Sequence, residues 1–195
     1  MKKKLSILIC SVPTRVDQAA RLRKELYRQI DELDACSAVQ VLMLEDSFEL
    51  TVGEKRNKLL EMSCGEYVNY LDDDDEISER YVDALLMGIA HGTDVVTFRG
   101  EFHNAGHTKH NFVISKDLAT SRFTGDVLYR LPNHLCPVKR EIAEAIRFPI
   151  KTYGEDKVYS EGICKLIKSE YHIPEKLYFY LFDSTKSETH KRSHE

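Results

Sequence analysis

The residues of this sequence that most clearly could take part in chemistry are four consecutive aspartates, Asp72 to Asp75. So many carboxylates cannot all ionise side by side without a compensating cation, because each negative charge disfavours the next. Carboxylate oxygens suit Mg²⁺ and Mn²⁺, and such an ion usually completes its shell with water and substrate phosphate oxygens. The cluster therefore predicts Mn²⁺ or Mg²⁺ held by Asp72, Asp74 and Asp75 against a phosphorylated substrate.

Two other interpretations of the same residues are open. A solvated acidic turn that also caps the following helix would need no ligand. Asp72, Asp73 and Glu76 also imitate the DDxxD cluster of isoprenoid enzymes, but those clusters lie on long helices, whereas the preceding Tyr-Val-Asn-Tyr-Leu favours a strand. The directions of the aspartate side chains depend on whether the strand continues through them. Alternate strand residues point the same way, so Asp72 and Asp74 would share one direction unless the chain turns there.

Three further charged residues could take part in chemistry. Asp156 is the candidate general base, because a carboxylate at a helix start after a glycine can take a proton from a hydroxyl; the helix dipole alone would also favour it there. Arg56 can pair with diphosphate oxygens through its planar guanidinium, and a plain helix-surface arginine is the alternative. Asp46 could accept hydrogen bonds from a uracil or ribose, and a turn-forming role is the alternative.

Histidines could complete a metal site or contact an acceptor. His134 and His190 are the candidate ligands, and His134 and Lys139 are candidates for the acceptor side. Three other histidines cluster without a helical spacing, which argues against a zinc site and favours a solvent-facing or acceptor-contacting role. They are His103, His107 and His110.

The elements that must position these residues alternate between strands and helices in the first half of the chain. Predicted strands at 5–10, 39–44 and 67–71 are separated by a helix with an apolar face and a short helix at 53–62. The apolar face comprises Ala19, Leu22, Leu26, Ile30 and Leu33. This alternation implies an α/β fold with a Rossmann-like, mostly parallel sheet flanked by helices, in which ligands bind beyond the carboxyl ends of the strands. The aspartates follow the third strand, and Ser78 is expected to cap a helix ending near Gly92.

The second half is predicted to differ. Strands at 95–102 and 112–115 flank a polar Asn-Ala-Gly turn, which indicates a small antiparallel hairpin. Three further elements are expected: a short helix at 139–147, a longer one from about 155 to 169, and an aromatic strand at 177–182. Residues 186–195 are polar and are expected to form a flexible tail.

Composition and charge exclude several protein classes. The 195 residues, 42% hydrophobic and 31% charged, are ordinary for one globular domain, and a net charge of −4 marks neither a nucleic-acid nor a membrane binder. The apolar run that follows the N-terminal lysines lacks a cleavage site, which argues against a secretory signal, and no stretch is long enough to span a bilayer. Five scattered cysteines without CxxC spacing argue against a disulfide framework and a zinc site, so a cytoplasmic protein is expected.

Taken in order, the segments that follow the predicted strands resemble those of the family 2 glycosyltransferases, which have the GT-A fold. The matching segments are Ser11-Val12-Pro13-Thr14-Arg15, Glu45-Asp46, Gly53-Glu54-Lys55-Arg56-Asn57, the Gly-x-Tyr, strand and LDxDD pattern of 65–75, and Gly154-Glu155-Asp156. The resemblance runs from the first strand to about residue 190. The chain is shorter than many members and has no tryptophan to stack against a sugar.

The resemblance implies a metal-dependent transferase that moves a sugar from a nucleotide-sugar donor, UDP-linked by preference, to a hydroxyl acceptor such as a glycan or glycolipid, with inversion. It implies a single domain, 1–195, in which 1–92 bind the nucleotide sugar and 93–185 the acceptor. The implied catalytic pair is Glu155 and Asp156. The implied nucleotide contacts are Pro13, Thr14, Arg15, Asp46, Lys55, Arg56, Asn57, Asp72 and Asp73.

Three other functions are weighed against this one. A catalytically silent module of the same fold could bind a carbohydrate or a partner protein. A nucleotidyltransferase would need a glycine-rich phosphate loop after the first strand, which is absent here. Modified DNA is a further acceptor that the basic residues Lys186, Lys191 and Arg192 permit without favouring nucleic acid.

Overall fold

The structure is a computed structural model that describes residues 3–104 and 109–182. The strands are β1 (Lys3–Ser11), β2 (Val39–Glu45), β3 (Gly65–Asp72), β4 (Glu76–Ile77), β5 (Val95–Asn104), β6 (Lys109–Ile114), β7 (Arg122–Thr124), β8 (Val127–Arg130), β9 (Val138–Lys139) and β10 (Glu170–Phe182). The α-helices are α1 (Val16–Glu32), α2 (Val52–Met62), α3 (Tyr81–Ile89), α4 (Arg140–Ala145) and α5 (Glu155–Ile163), and a 3-10 turn covers Pro13–Arg15. In the described part of the chain, none of the helices has the length and apolar character needed to cross a bilayer.

One sheet runs through both halves of the chain. Its strand order is β2-β1-β3-β9-β5-β6-β8-β7, and β10 lies along β5 with β4 on its other edge. The β2-β1-β3 pairs and the β5-β10 pair are parallel, whereas β9 pairs antiparallel with both β3 and the start of β5. The prediction of a mostly parallel sheet flanked by helices is confirmed, and the carboxyl ends of β1, β2 and β3 meet at one edge.

The core of the first half follows from the hydrophobic pattern. β1 is a nearly continuous apolar strand whose Leu5, Ile7, Leu8 and Ile9 are fully buried, as expected for a parallel strand covered on both faces. The predicted face of α1 packs on this core through Leu22, Leu26 and Ile30, and Ala19 of the same face is also buried. Leu33 is the exception, because it lies at the C-cap of the helix and is 42% exposed.

The start of α3 differs from the prediction that Ser78 caps it. The helix begins at Tyr81, and its N-cap residue, Arg80, makes no side-chain capping hydrogen bond. The Ser78 carbonyl instead accepts a hydrogen bond from the Gln29 side chain, and the Gln29 oxygen accepts one from the Val82 N–H at 2.9 Å. A buried glutamine of α1 therefore supplies the acceptor that a local cap would have provided.

The second half contains the predicted hairpin, formed by β5 and β6, whose tip at 105–108 lies outside the described residues. The predicted helix at 155–169 is shorter, and the predicted strand at 177–182 is longer, since β10 begins at Glu170. β10 continues past Pro174 because its register against β5 shifts between Ile173 and Lys176, which accommodates a residue without an N–H.

Candidate functional site

The aspartate cluster lies where β3 ends. β3 finishes at Asp72, and a turn follows in which the Asp75 N–H donates to the Asp72 carbonyl at 3.3 Å. The chain therefore turns within the cluster, and strand alternation does not set the directions of the side chains. Because the cluster follows a strand, the helical DDxxD interpretation is excluded.

Arg15 connects the loop after β1 to the middle of the cluster. Its guanidinium donates to Asp73 Oδ1 at 2.9 Å and lies 3.0 Å from Asp74 Oδ2. Asp73 is buried, and its second oxygen accepts from the Ser11 hydroxyl at 2.8 Å. Both oxygens of Asp73 therefore accept hydrogen bonds that position the loop after β1. Pro13 and Thr14 of this loop are exposed.

Asp75 turns away from solvent towards β10. One carboxylate oxygen accepts a hydrogen bond from the Tyr178 hydroxyl, and the other accepts from the Leu181 N–H at 2.8 Å. Burial, together with the charges of Asp72 and Asp74, raises the pKa of Asp75 well above its usual range. Both oxygens of Asp75, a predicted metal ligand, are therefore hydrogen-bonded to groups of β10.

Asp72 lies between a guanidinium and an imidazole. Arg56 donates to Asp72 Oδ1 at 3.1 Å, and His134 Nε2 is 3.4 Å from Asp72 Oδ2. Burial works to raise the pKa of Asp72, but His134 and the nearby arginines outweigh it and lower the pKa. Burial and the Arg56 charge lower the pKa of His134, whose Nδ1 is buried and has no hydrogen-bond partner among the described residues.

Arg56 is a buried residue, which excludes the helix-surface alternative. Its side chain is 4% exposed, and it bridges Asp72 to Glu155 Oε1, which lies 2.9 Å away. The guanidinium also lies over the Phe148 ring, 5.1 Å from its centroid. Because both terminal nitrogens already face carboxylates, this geometry favours a framework role over the predicted diphosphate contact.

Asn57 also faces protein backbone. Its amide nitrogen donates to the Phe148 carbonyl at 2.9 Å, and its amide oxygen accepts from the Phe148 N–H at 3.0 Å. Both ends of the side-chain amide are therefore hydrogen-bonded within the protein, and the nucleotide contact of Asn57 stays a prediction.

Lys55 and Asp46 form a second buried pair. The Lys55 ammonium forms an ion pair with Asp46 and donates to the Ser11 carbonyl at 2.9 Å. Asp46 Oδ2 accepts from the Leu50 N–H at 2.7 Å, which closes the loop after β2. The turn-forming alternative for Asp46 is realised, and the pair ties the end of β1 to the loop after β2.

Glu155 and Asp156 begin α5 after Gly154, which has a φ of 69° that favours glycine. Glu155 is 7% exposed, and burial raises the pKa of its carboxyl despite the Arg56 guanidinium. Asp156 is half-buried and accepts from the Lys157 N–H at 2.8 Å. Among the described residues it has no ion pair, so Asp156 is the member of the pair that remains available to a substrate.

Lys139 lies elsewhere. It pairs in register with Tyr67, near the start of β3, and its ammonium contacts Asp94 at 2.9 Å. Asp72 is five positions further along the strand, at its opposite end, so the structure does not bring Lys139, predicted on the acceptor side, close to the aspartate cluster. His103 contacts Glu101 at 2.8 Å, whereas His107 and His190 lie outside the described residues.

A divalent cation fits these residues in one restricted way. Within residues 3–104 and 109–182, no group of three or more His, Cys, Asp or Glu side chains is arranged to hold a metal. Burial, with the charges of Asp72 and Asp73, raises the pKa of Asp74 to about 6, against the effect of Arg15. The concentrated negative charge and hard oxygen donors therefore suit an ion bound by one or two carboxylates and completed by substrate oxygens.

Two site residues were not predicted in these roles. Ser11 positions Asp73 and Tyr178 positions Asp75. The alternation of Tyr178 and Tyr180 along a predicted strand indicates that they share a face, but nothing local indicates that Tyr178 reaches the cluster.

Comparison with solved structures identifies S. aureus TarS as a structural relative of this chain. TarS 1–349 in complex with UDP-GlcNAc matches with a TM-score of 0.64 at 14% identity, over 92% of this chain and 58% of that one. TarS 1–349 in complex with UDP matches with a TM-score of 0.65 at 14% identity, over 93% of this chain and 61% of that one. No family model and no curated protein matches.

At this level of identity the match shows a shared fold. The chain has the GT-A fold of TarS, as the resemblance of its motifs implied. It spans about three fifths of the length of these TarS fragments.

Proposed function

We propose that this chain transfers a sugar from a UDP-linked donor to a hydroxyl acceptor, with Asp156 as the general base. The observation that carries the proposal is the contrast within one motif: Glu155 is buried against Arg56, whereas Asp156 is half-buried and has no ion pair within the described residues. Arg56 contacts both Glu155, which precedes the candidate base, and Asp72. One side chain therefore connects the start of α5 to the end of β3.

The donor would lie over the carboxyl ends of β1, β2 and β3, where ligands bind in open α/β sheets. The exposed Pro13 and Thr14 border this edge, and Arg15, 20% exposed, retains a surface on which diphosphate oxygens could pair. The UDP and UDP-GlcNAc complexes of TarS, which has the same fold, support a UDP-linked donor.

Asp72 and Asp74 are the proposed ligands of Mn²⁺ or Mg²⁺. Both are 30% exposed, whereas Asp73 and Asp75 are buried and fully hydrogen-bonded to protein groups. When bound, the ion would neutralise charge on the diphosphate.

Asp156 would accept the proton of the acceptor hydroxyl while that oxygen attacks the anomeric carbon and UDP leaves from the opposite side. A single carboxylate base suffices for such a displacement, and no enzyme nucleophile is required. The product would have inverted anomeric configuration. A glycan or glycolipid is the proposed acceptor class.

A catalytically silent module of the same fold remains the second candidate, because the acidic cluster is extensively neutralised by the protein's own cations. Arg15 and Arg56 together contact Asp72, Asp73 and Asp74. Such internal pairing compensates part of the carboxylate charge without a bound cation.

UDP release from a panel of UDP-sugars separates the two candidates. The purified chain with Mn²⁺ should release UDP from at least one donor, and EDTA or Asp74→Ala should abolish that release. Exposed Asp17, changed to Ala, is a matched control that should release UDP at the wild-type rate. Metal-dependent UDP binding without release from any donor, with or without candidate acceptors, would support the silent module and overturn the proposed transfer.

A further inference from the structure

The Gly-x-x-Arg-Asn motif has the spacing of one helix face. Gly53, Arg56 and Asn57 occupy positions i, i+3 and i+4 of α2, which lie next to one another on the helix surface. All three contact the segment 147–155, which we call the base segment because Asp156 follows it directly. Lys55 instead contacts Ser11 at the end of β1 and Asp46 in the loop after β2. One side of the motif therefore contacts the base segment, and the other side contacts the ends of β1 and β2, where the nucleotide is proposed to bind.

Each contact on the first side is close and specific. The Gly53 N–H donates to the Lys151 carbonyl at 3.1 Å, and a Cβ at Gly53 would lie only 1.9 Å from the Pro149 carbonyl oxygen. Asn57 makes its two hydrogen bonds to the N–H and carbonyl of Phe148. Only a glycine permits this approach, and only a side-chain amide can donate and accept at one peptide position with two atoms.

Phe148 connects these contacts of α2 to α5, because its ring packs against a residue of that helix. Its ring stacks on Tyr159 with centroids 4.0 Å apart, and the Arg56 guanidinium lies over the same Phe148 ring, 5.1 Å from its centroid. Tyr159 lies one helical turn after Glu155, so fixing Phe148 fixes the first turn of α5, where Asp156 is located.

We propose that Asn57 is a positioning residue for the base segment, which it holds through Phe148, and that it does not bind the nucleotide. This inference rests on the proposed function for the identity of Asp156 as the base. Loss of the Asn57 amide should let Phe148 and the start of α5 move, which lowers the turnover number without weakening the binding of UDP.

The experiment compares the full chain with Asn57→Ala, Asn57→Asp and Lys58→Ala, the last being an exposed neighbour on the same helix. Three quantities are measured: hydrogen exchange of the 147–152 amides, the Kd of UDP with Mn²⁺ by calorimetry, and kcat and KM for UDP release from the UDP-sugar of the panel that the wild-type chain uses best. Asn57→Asp is the second variant in case Asn57→Ala does not fold, since its carboxylate can still accept from the Phe148 N–H but cannot donate to the carbonyl.

For Asn57→Ala we expect at least tenfold faster exchange at the Phe148 amide, a UDP Kd within twofold of wild type, and a kcat at least tenfold lower at unchanged KM. Asn57→Asp should give the same kcat-against-KM split, and Lys58→Ala should match wild type throughout. A tenfold weaker UDP affinity with unchanged kcat, or unchanged exchange at Phe148, would overturn the inference. Absence of UDP release by the wild-type chain from every donor would count against the proposed function, while the exchange and calorimetric results would still decide the role of Asn57.

Discussion

Arg56 and Glu155 form a buried ion pair, with Arg56 Nη1 2.9 Å from Glu155 Oε1, across 99 positions of sequence. The same guanidinium contacts Asp72, so one side chain of α2 connects the end of β3 to the start of α5. Since these two points carry the proposed cation ligands and the proposed base, the relative placement of the reacting groups depends on a residue that need not touch the substrate.

Replacement of Arg56 by Met should be strongly destabilising. It would leave the buried Glu155 and the partly buried Asp72 without their cation, and breaking a buried pair typically costs about 3–5 kcal/mol. Urea unfolding of wild type and variant measures this difference in the free energy of unfolding. The matched control is Arg28→Met, whose ion pairs with Glu25 and Glu32 are exposed and whose loss should have little effect. Equal effects of the two substitutions would contradict the framework role of Arg56.

Asp156→Asn and Glu155→Gln should have different consequences. Asn cannot take a proton, so Asp156→Asn should lower kcat for UDP release by about 10²–10⁴-fold while the Kd of UDP stays unchanged. Glu155→Gln should lower stability, because Arg56 loses a charged partner. Steady-state kinetics and thermal melts of both variants check this. The assignment fails if Asp156→Asn keeps wild-type kcat and Glu155→Gln alone loses it.

Gly53→Ala should destabilise the fold although alanine is the better helix former. Helix propensity favours Ala by about 1 kcal/mol, but a Cβ would lie 1.9 Å from the Pro149 carbonyl oxygen, and such overpacking costs about 1–3 kcal/mol or more. Unfolding by urea should therefore give a net loss of stability. A more stable variant would mean that the segment after Phe148 does not lie against α2.

The ionised carboxylate of Asp94 should make the free energy of unfolding depend on pH in the acidic range. Burial acts to raise its pKa, but hydrogen bonds from Lys139 and from the Lys168 and Ser169 N–H groups outweigh it and lower the pKa. A carboxyl with a lowered folded-state pKa contributes stability above its unfolded value of about 3.9, and that contribution is lost as pH falls through the folded value.

The comparison of wild type with Asp94→Asn isolates this contribution. The difference in free energy of unfolding should be constant from pH 7 to about pH 5 and should shrink below about pH 4. Urea unfolding at several pH values measures it. A difference that instead grows as pH falls would contradict the ionised, hydrogen-bonded state of Asp94.

Much of the first half could be predicted because local patterns determine it. The apolar run of β1, the helical spacing on α1 and the acidic cluster after β3 all depend on neighbouring residues, and each was found at its predicted place. Ser78 shows the limit of this reasoning, because serine is a common capping residue but does not cap α3 here. The acceptor for the Val82 N–H of that helix is the side chain of Gln29, 53 positions earlier in the sequence.

The candidate site was harder to predict, because its side chains are paired across long sequence distances. Asn57 and Phe148 lie 91 positions apart, and no local feature of either residue indicates the other. The i, i+3, i+4 spacing of Gly53, Arg56 and Asn57 did contain the signal that the three share a face. What that face contacts could be learned only from the fold.

The proposed transfer depends on the binding of a nucleotide diphosphate, together with a divalent cation, by the acids at the end of β3. Calorimetric titration of UDP into the chain, with and without Mn²⁺, tests it most directly, and Asp74→Asn serves as the variant. The account predicts binding that requires Mn²⁺, is lost in Asp74→Asn, and stabilises the fold by about 2.7 kcal/mol at a hundred times the Kd. No heat of binding at millimolar UDP and Mn²⁺, or equal binding in EDTA, would contradict it.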